Sequence, residues 1–208
     1  MKFELLQGKF IVLDGPDGCG KSTQSQLLKE LMISNGVEVV GVRDPGSTSI
    51  GEQIREILLS NDNAEMNVRC ETLLYMASRS QLYGQHIAPA LAEGKCVVCD
   101  RWVSSTYAYQ AVAGGIGRET LLDLAEHCLE RTWPDVTIII DMPMERSMSR
   151  IGDNPDRMES KGDEFHRKVR DAYVELADKY ENIYVIDGNG SIQEVHKRVL
   201  LVLDTIFN

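Results

Sequence analysis

Near the N-terminus, the eight residues Gly15-Pro16-Asp17-Gly18-Cys19-Gly20-Lys21-Ser22 fit the pattern GxxxxGK[ST] at every fixed position. The apolar run Phe10-Ile11-Val12-Leu13-Asp14 precedes them, and the helical spacing of Leu27, Leu28, Leu31 and Met32 follows. This order of strand, glycine-rich turn and helix limits the fold more than any other feature. Glycines let the backbone bend until successive N–H groups face one anion, and the helix N-terminus adds its positive end. Gly15, Pro16, Asp17, Gly18, Cys19, Gly20, Lys21, Ser22 and Thr23 are therefore expected to cradle the phosphates of a nucleoside triphosphate. Lys21 would reach the β- and γ-phosphates and Ser22 would hold Mg²⁺. The motif does not say which molecule receives the phosphate.

The alternation continues to the C-terminus. Further strands are expected at Val37 to Val42, Lys95 to Cys99, Val136 to Ile140 and Ile183 to Ile186. Helices are expected over Ser22 to Ser34, from Ser49 to about Ser60, Met66 to Ala92, 102–112, 117–130, from near Met144, Asp163 to Tyr180, and from Ser191 to about Thr205. Ser49-Ile50-Gly51-Glu52 and Ser191-Ile192-Gln193-Glu194 both read as capping boxes. Five short apolar strands between helices predict an α/β fold, a five-stranded parallel sheet with helices on both faces. Ligands of such sheets sit beyond the carboxyl ends of the strands. The chain of 208 residues suits one domain.

Composition narrows the partners. A net charge of −10 repels nucleic acid and anionic lipid, so any phosphate ligand needs a local cluster of cations and amides. No apolar run approaches membrane-spanning length, and no secretion signal is evident, so a cytoplasmic location is expected. Five cysteines, an odd number, argue against a disulfide framework. Cys96 and Cys99 form a CxxC inside an apolar stretch without partners at zinc spacing, and read as buried thiols.

Polar clusters end the other strands: Arg43-Asp44-Pro45-Gly46 after the second, and Asp100-Arg101-Trp102 with Ser104, Ser105 and Thr106 after the third. Tyr75 and Arg79 stand four residues apart, on one helix face. An aromatic ring beside a guanidinium suits a planar base. Taken alone, that pair also fits surface packing, and Asp100-Arg101 a structural ion pair.

In this order the segments resemble the thymidylate kinase family, over nearly the whole chain from about residue 9. The stretches that carry the resemblance are Asp14 to Thr23, Arg43-Asp44-Pro45-Gly46-Ser47-Thr48, Tyr75-Met76-Ala77-Ser78-Arg79, Asp100-Arg101-Trp102 to Tyr109-Gln110, and Pro155-Asp156-Arg157-Met158-Glu159. The resemblance implies a P-loop fold of the nucleoside monophosphate kinase kind, transfer of the γ-phosphate of ATP to dTMP, Mg²⁺, and a homodimer. It implies that Asp17 contacts the sugar 3′-hydroxyl and that Arg55 and Arg101 hold the acceptor phosphate. Tyr75 would stack on thymine, where relatives usually carry Phe, and Arg79 would hydrogen-bond the base. Ser105, Tyr109 and Gln110 would form pocket walls, and Asp100 would lie near Mg²⁺. Asp44 stands where relatives commonly have Glu.

Two anions must approach each other, so cations are needed. The segment 146–168 supplies Arg146, Arg150, Arg157, Lys161, Arg167 and Lys168, and Gly152-Asp153-Asn154-Pro155 marks a lid over about 146–162. In the family the chain resembles, a catalytic arginine sits either in the P-loop or in the lid; the P-loop position after Asp17 is Gly18 here, so the resemblance implies that the lid supplies it. Arg157 is the first choice; Arg150, on the ATP side, is the second. The rival readings are a P-loop kinase with another acceptor and a non-catalytic nucleotide-binding protein. The pairing of Arg55 with Arg101 argues against an acceptor that carries no phosphate.

Overall fold

The computed structural model describes residues 2–130 and 133–208. Its strands are β1 Phe10–Asp14, β2 Val39–Arg43, β3 Cys96–Asp100, β4 Val136–Asp141 and β5 Ile183–Asp187. They form one parallel sheet in the order β2-β3-β1-β4-β5. β1 and β3 are buried at every position, while the edge strands β2 and β5 are only partly covered. The helices are α1 Lys21–Ser34, α2 Ser49–Leu59, α3 Val68–Leu82, α4 Ala88–Ala92, α5 Val103–Thr106, α6 Arg118–Cys128, α7 Met144–Met148, α8 Asp163–Lys179 and α9 Ile192–Phe207.

Side chains alternate across a strand, so each face of the sheet builds its own core. Phe10, Val12, Val97, Cys99 and Ile139 pack under α3, α6 and α8, against residues such as Met76, Leu121 and Val169. Ile11, Leu13, Val98, Ile138 and Ile140 pack under α1 and α9, against Leu28, Met32 and Val199. Cys96 and Cys99 fall into opposite cores, so the CxxC spacing brings no thiols together, and all five cysteines are free. Among the described residues no helix is long and apolar enough to cross a membrane.

Three local features depart from the sequence pattern. The expected helix from Met66 to Ala92 is α3 and α4 joined by a wide π-helical turn, Tyr83–Ile87. A second π-helical stretch, Tyr107–Ala113, follows α5 and carries Tyr109 and Gln110. Such wide turns are frequent at functional sites. The third departure is the cap of α2. Ser191 and Glu194 form the expected capping box at α9, but at α2 the N-cap is Thr48, whose Oγ1 accepts from the Gly51 amide at 2.9 Å. Glu52 reaches past that cap, accepting from the Ser47 amide at 2.6 Å and from Arg43 at 3.0 Å. Ser47 has φ 61 and bends the chain so that the cap falls one residue earlier.

The register Leu13↔Asp100 and Arg43↔Asp100 brings the ends of β1, β2 and β3 to one rim of the sheet. The glycine-rich loop and the polar clusters all open there.

Candidate active site

α1 begins at Lys21, so the amides of its first turn lack intrahelical acceptors and face the loop. Lys21 is buried; its Nζ donates to the Pro16 carbonyl at 3.0 Å and lies 3.8 Å from Asp17 Oδ1. A cavity of about 320 Å³ runs from Gly18, Gly20 and Thr23 past Arg150 to Gly188 and Gly190, after β5. The Gly15 N–H, expected to face phosphate, donates here to Asp14 Oδ1 at 2.8 Å.

A second cavity, of about 300 Å³, contains Ser22 and Asp100. Asp100 is 7% exposed, and its buried Oδ1 has no hydrogen-bond partner. An orphaned carboxylate oxygen beside a hydroxyl fits a hard cation that takes its remaining ligands from nucleotide phosphates and water. Among the described residues no group of three or more His, Cys, Asp or Glu side chains offers a metal site on its own.

The residues expected on the acceptor side all line one pocket: Asp17, Arg55, Tyr75, Arg79, Arg101, Ser105, Tyr109 and Gln110. Arg79 is 1% exposed, which removes surface packing as its explanation. Its Nε donates to Asp44 Oδ2 at 2.6 Å, and Nη2 donates to Thr106 at 2.8 Å and to the Trp102 carbonyl at 3.2 Å. Asp44, a shorter side chain than the Glu of relatives, thus has Arg79 as its partner. Tyr75 lines the same pocket, and burial together with the Glu71 carboxylate pushes its phenol up, so it stays neutral. Burial and the like charges of Arg43 and Arg101 push the Arg55 guanidinium down. An anionic phosphate would remove that penalty.

Asp17 joins the two halves of the site. It pairs with Arg101 Nη2 and accepts from Tyr109 at 2.6 Å. Burial alone would raise its carboxyl, but Arg101, Lys21 and Tyr109 outweigh burial and hold it at about 2. Such a group stabilises the fold fully above the unfolded value, near pH 4, and loses that contribution as pH falls through about 2. Asp17→Asn is expected to remove about 2 kcal/mol of stability at neutral pH and to flatten the acid limb between about pH 4 and 2. Urea unfolding across that range checks this.

The two candidate lid arginines lie in different places. Arg157 lies against α2 and α3. It is 7% exposed; its Nε donates to the Leu58 carbonyl at 2.8 Å and Nη1 to Glu71 Oε2 at 2.6 Å. The chain at 155–158 folds against α2, with the Arg157 amide on Leu59, so the side chain turns inward. Arg150 takes the other position: Nη1 donates to the Gly18 carbonyl at 3.3 Å, and the side chain is exposed beside the donor cavity. Of the other cations, Arg146 donates to Asn189, Lys161 lies 3.3 Å from Glu71, and Lys168 pairs with Glu164.

Gly18 shows why no side chain emerges from the loop here. Its φ is +74, and a Cβ would stand 2.1 Å from the Ser147 carbonyl oxygen of α7. Backbone cannot yield as a flexible side chain would. Gly18→Ala is expected to push α7 and Arg150 off the loop and lower the rate of phosphoryl transfer by about 10²-fold, with KM for the acceptor little changed; steady-state kinetics checks this.

Sequence reasoning missed two residues. Glu71, 1% exposed, accepts from Gln110 at 2.8 Å as well as from Arg157. The spacing Glu71, Tyr75, Arg79 continues the i, i+4 face by one turn and could have revealed it. Tyr173 donates to Asp14 Oδ1 at 2.8 Å and accepts from Arg101 at 3.2 Å. It sits on α8, and no motif marks it.

An anion cradle and a guanidinium-lined pocket share one rim, with Asp17 and Arg101 between them. That arrangement suits the meeting of a donor phosphate and an acceptor phosphate and fits a P-loop phosphotransferase with a nucleotide acceptor. Comparison with known proteins narrows the class. The family model described as thymidylate kinase matches residues 13–199. The thymidylate kinase of Fervidobacterium nodosum is 40% identical over 196 residues, covering 94% of this chain and 98% of the relative. That of Thermoanaerobacter sp. is 42% identical over 200 residues, covering 95% and 98%. The crystal structure of thymidylate kinase from Ehrlichia chaffeensis matches with a TM-score of 0.77 and 33% identity, over 94% of this chain and 98% of that one. The chain belongs to the thymidylate kinase family and is a phosphotransferase.

Proposed function

We infer that this chain carries out its family's reaction, transfer of the γ-phosphoryl group of ATP to dTMP, by aligning the two nucleotides and neutralising charge between them. The observation that carries the reading is the convergence in one pocket of a base-recognising pair, Tyr75 with buried Arg79, and a phosphate-holding pair, Arg55 with Arg101. Arg79 Nη1, which donates to Met76 Sδ at 3.3 Å, would turn to the thymine edge, while its other nitrogens are tied to Asp44, Thr106 and Trp102. Asp17 and Tyr109 take the sugar, and Gln110, fixed by Glu71, closes a wall. The pocket encloses only about 60 Å³, because the Asp17–Arg101–Tyr109 contacts bridge it. Binding dTMP therefore parts those contacts.

Lys21 and the amides of α1 hold the β- and γ-phosphates. The segment 146–162 acts as a lid, and its catalytic arginine is Arg150, while Arg157 serves as pocket structure. Ser22 and Asp100 would hold Mg²⁺, which supplies positive charge to the donor phosphates. The reading places the enzyme in the cytoplasm, a reducing compartment that suits five free thiols. Ile50 and Ile57 on α2 and Leu73 on α3 are exposed, and their cover would be the partner in a homodimer. Light scattering measures that mass.

The test is ADP release with dTMP, dUMP, CMP and thymidine as acceptors. Turnover fastest with dTMP, and none with thymidine, is expected. Equal turnover with CMP, or none with dTMP, sinks the reading.

A further inference from the structure

The Asp14 carboxylate precedes the phosphate loop and is completely buried. Its Oδ1 accepts from the Gly15 amide at 2.8 Å, Ser105 at 2.7 Å and Tyr173 at 2.8 Å. Its Oδ2 accepts from Ser104 at 2.5 Å and from the Trp102 amide at 3.4 Å. A carboxylate so fully occupied cannot move without disturbing both halves of the rim.

Arg101 shows what this cluster holds. Its backbone is left-handed, with φ 70, in a conformation that few side-chain-bearing residues adopt. Its guanidinium is divided between two environments. Nη1 lies 3.5 Å from Asp14 Oδ1 and donates to the Gly15 carbonyl at 3.1 Å, Ser105 at 2.9 Å and Tyr173 at 3.2 Å. Nη2 pairs with Asp17, in the acceptor pocket. One nitrogen is tethered and the other faces the place where the acceptor phosphate would sit.

We propose that Asp14 is a positioning residue for the acceptor phosphate: it tethers Nη1 of Arg101, so that Nη2 alone exchanges Asp17 for the phosphate. The charge of Asp14 matters as well as its shape. When Nη2 leaves Asp17, a buried cation would lose its nearest anion until the phosphate arrives. Asp14 keeps it balanced throughout. With a neutral residue at 14, Asp17 would be the closest anion left to Arg101, and the pair would resist opening.

The inference rests on the reading of Arg101 as the acceptor-phosphate residue, and the experiment separates the two. Asp14→Asn keeps the shape of the anchor and removes its charge. Tyr173→Phe removes one hydroxyl from the tether without touching the pocket wall. Calorimetry with dTMP and steady-state kinetics in both substrates are expected to show Asp14→Asn binding dTMP at least about tenfold more weakly and turning over about 10²-fold more slowly. KM for ATP rises by a much smaller factor than dTMP affinity falls, and Tyr173→Phe shifts dTMP affinity in the same direction as Asp14→Asn by a smaller factor. A lowered Tm with unaltered dTMP affinity and kcat, or equal losses for ATP and dTMP, overturns the proposal. If Asp14→Asn does not fold, Tyr173→Phe with unaltered dTMP affinity overturns it. Arg101→Ala is the control. If dTMP affinity survives that substitution, the reading of Arg101 falls first; if affinity is lost there but kept in Asp14→Asn and Tyr173→Phe, only the anchor fails.

Discussion

Replacing Arg150 with alanine is expected to lower kcat by about 10³-fold or more and to leave KM for dTMP within about threefold. The transferring phosphoryl group gathers charge on its equatorial oxygens, and a guanidinium that reaches it only in the closed site stabilises the transition state more than the ground state. Arg150 is placed for this. It lies against the Gly18 carbonyl, exposed and beside the donor cavity. Arg157 is not so placed, because Leu58 and Glu71 hold two of its nitrogens. Arg157→Ala is therefore expected to lower Tm and raise KM for dTMP while retaining far more of kcat than Arg150→Ala. Rapid-quench kinetics on both variants decides between them: equal loss of the chemical step in Arg157→Ala would return that residue to the mechanism.

Glu71→Ala is expected to destabilise the fold by about 3–5 kcal/mol, which lowers Tm by roughly 10 °C in a domain of this size. Glu71 is the anion for Arg157 at 2.6 Å and for Lys161 at 3.3 Å, and it also fixes Gln110 at 2.8 Å. Truncation leaves Arg157 buried without a counter-charge, and that uncompensated charge, rather than the lost attraction, carries most of the cost. KM for dTMP rises with it, because Gln110 loses its fixed orientation. Calorimetric unfolding together with dTMP kinetics checks both effects. A Tm within about 2 °C of the parent would mean that Glu71 is hydrated and its pairs are weak.

The two arginines show where reading the sequence succeeds and where it stops. The need for a lid cation followed from the meeting of two anions and, through the family resemblance, from Gly18 in the P-loop. The choice among six cations spread over 146–168 did not, because neighbouring positions there face opposite ways. The cap of α2 failed for a related reason: Ser49 and Thr48 are both good caps, and the bend at Ser47 decided between them. The capping box at α9 succeeded because no competing cap stands beside it.

Sequence alone determined the order of strands and helices and the phosphate loop, while the family resemblance singled out the residues from Asp17 to Gln110 that line one pocket. The first two are short-range matters: hydrophobic period and glycine spacing are written in neighbouring residues. Only the tertiary structure decided the partners of buried charges. Asp44 met Arg79 across 35 positions, Glu71 met Arg157 across 86, and Asp14 met Tyr173 across 159. A buried charge must find its counter-charge or a full set of hydrogen bonds wherever the packed chain offers one, and that place has no local trace in the sequence.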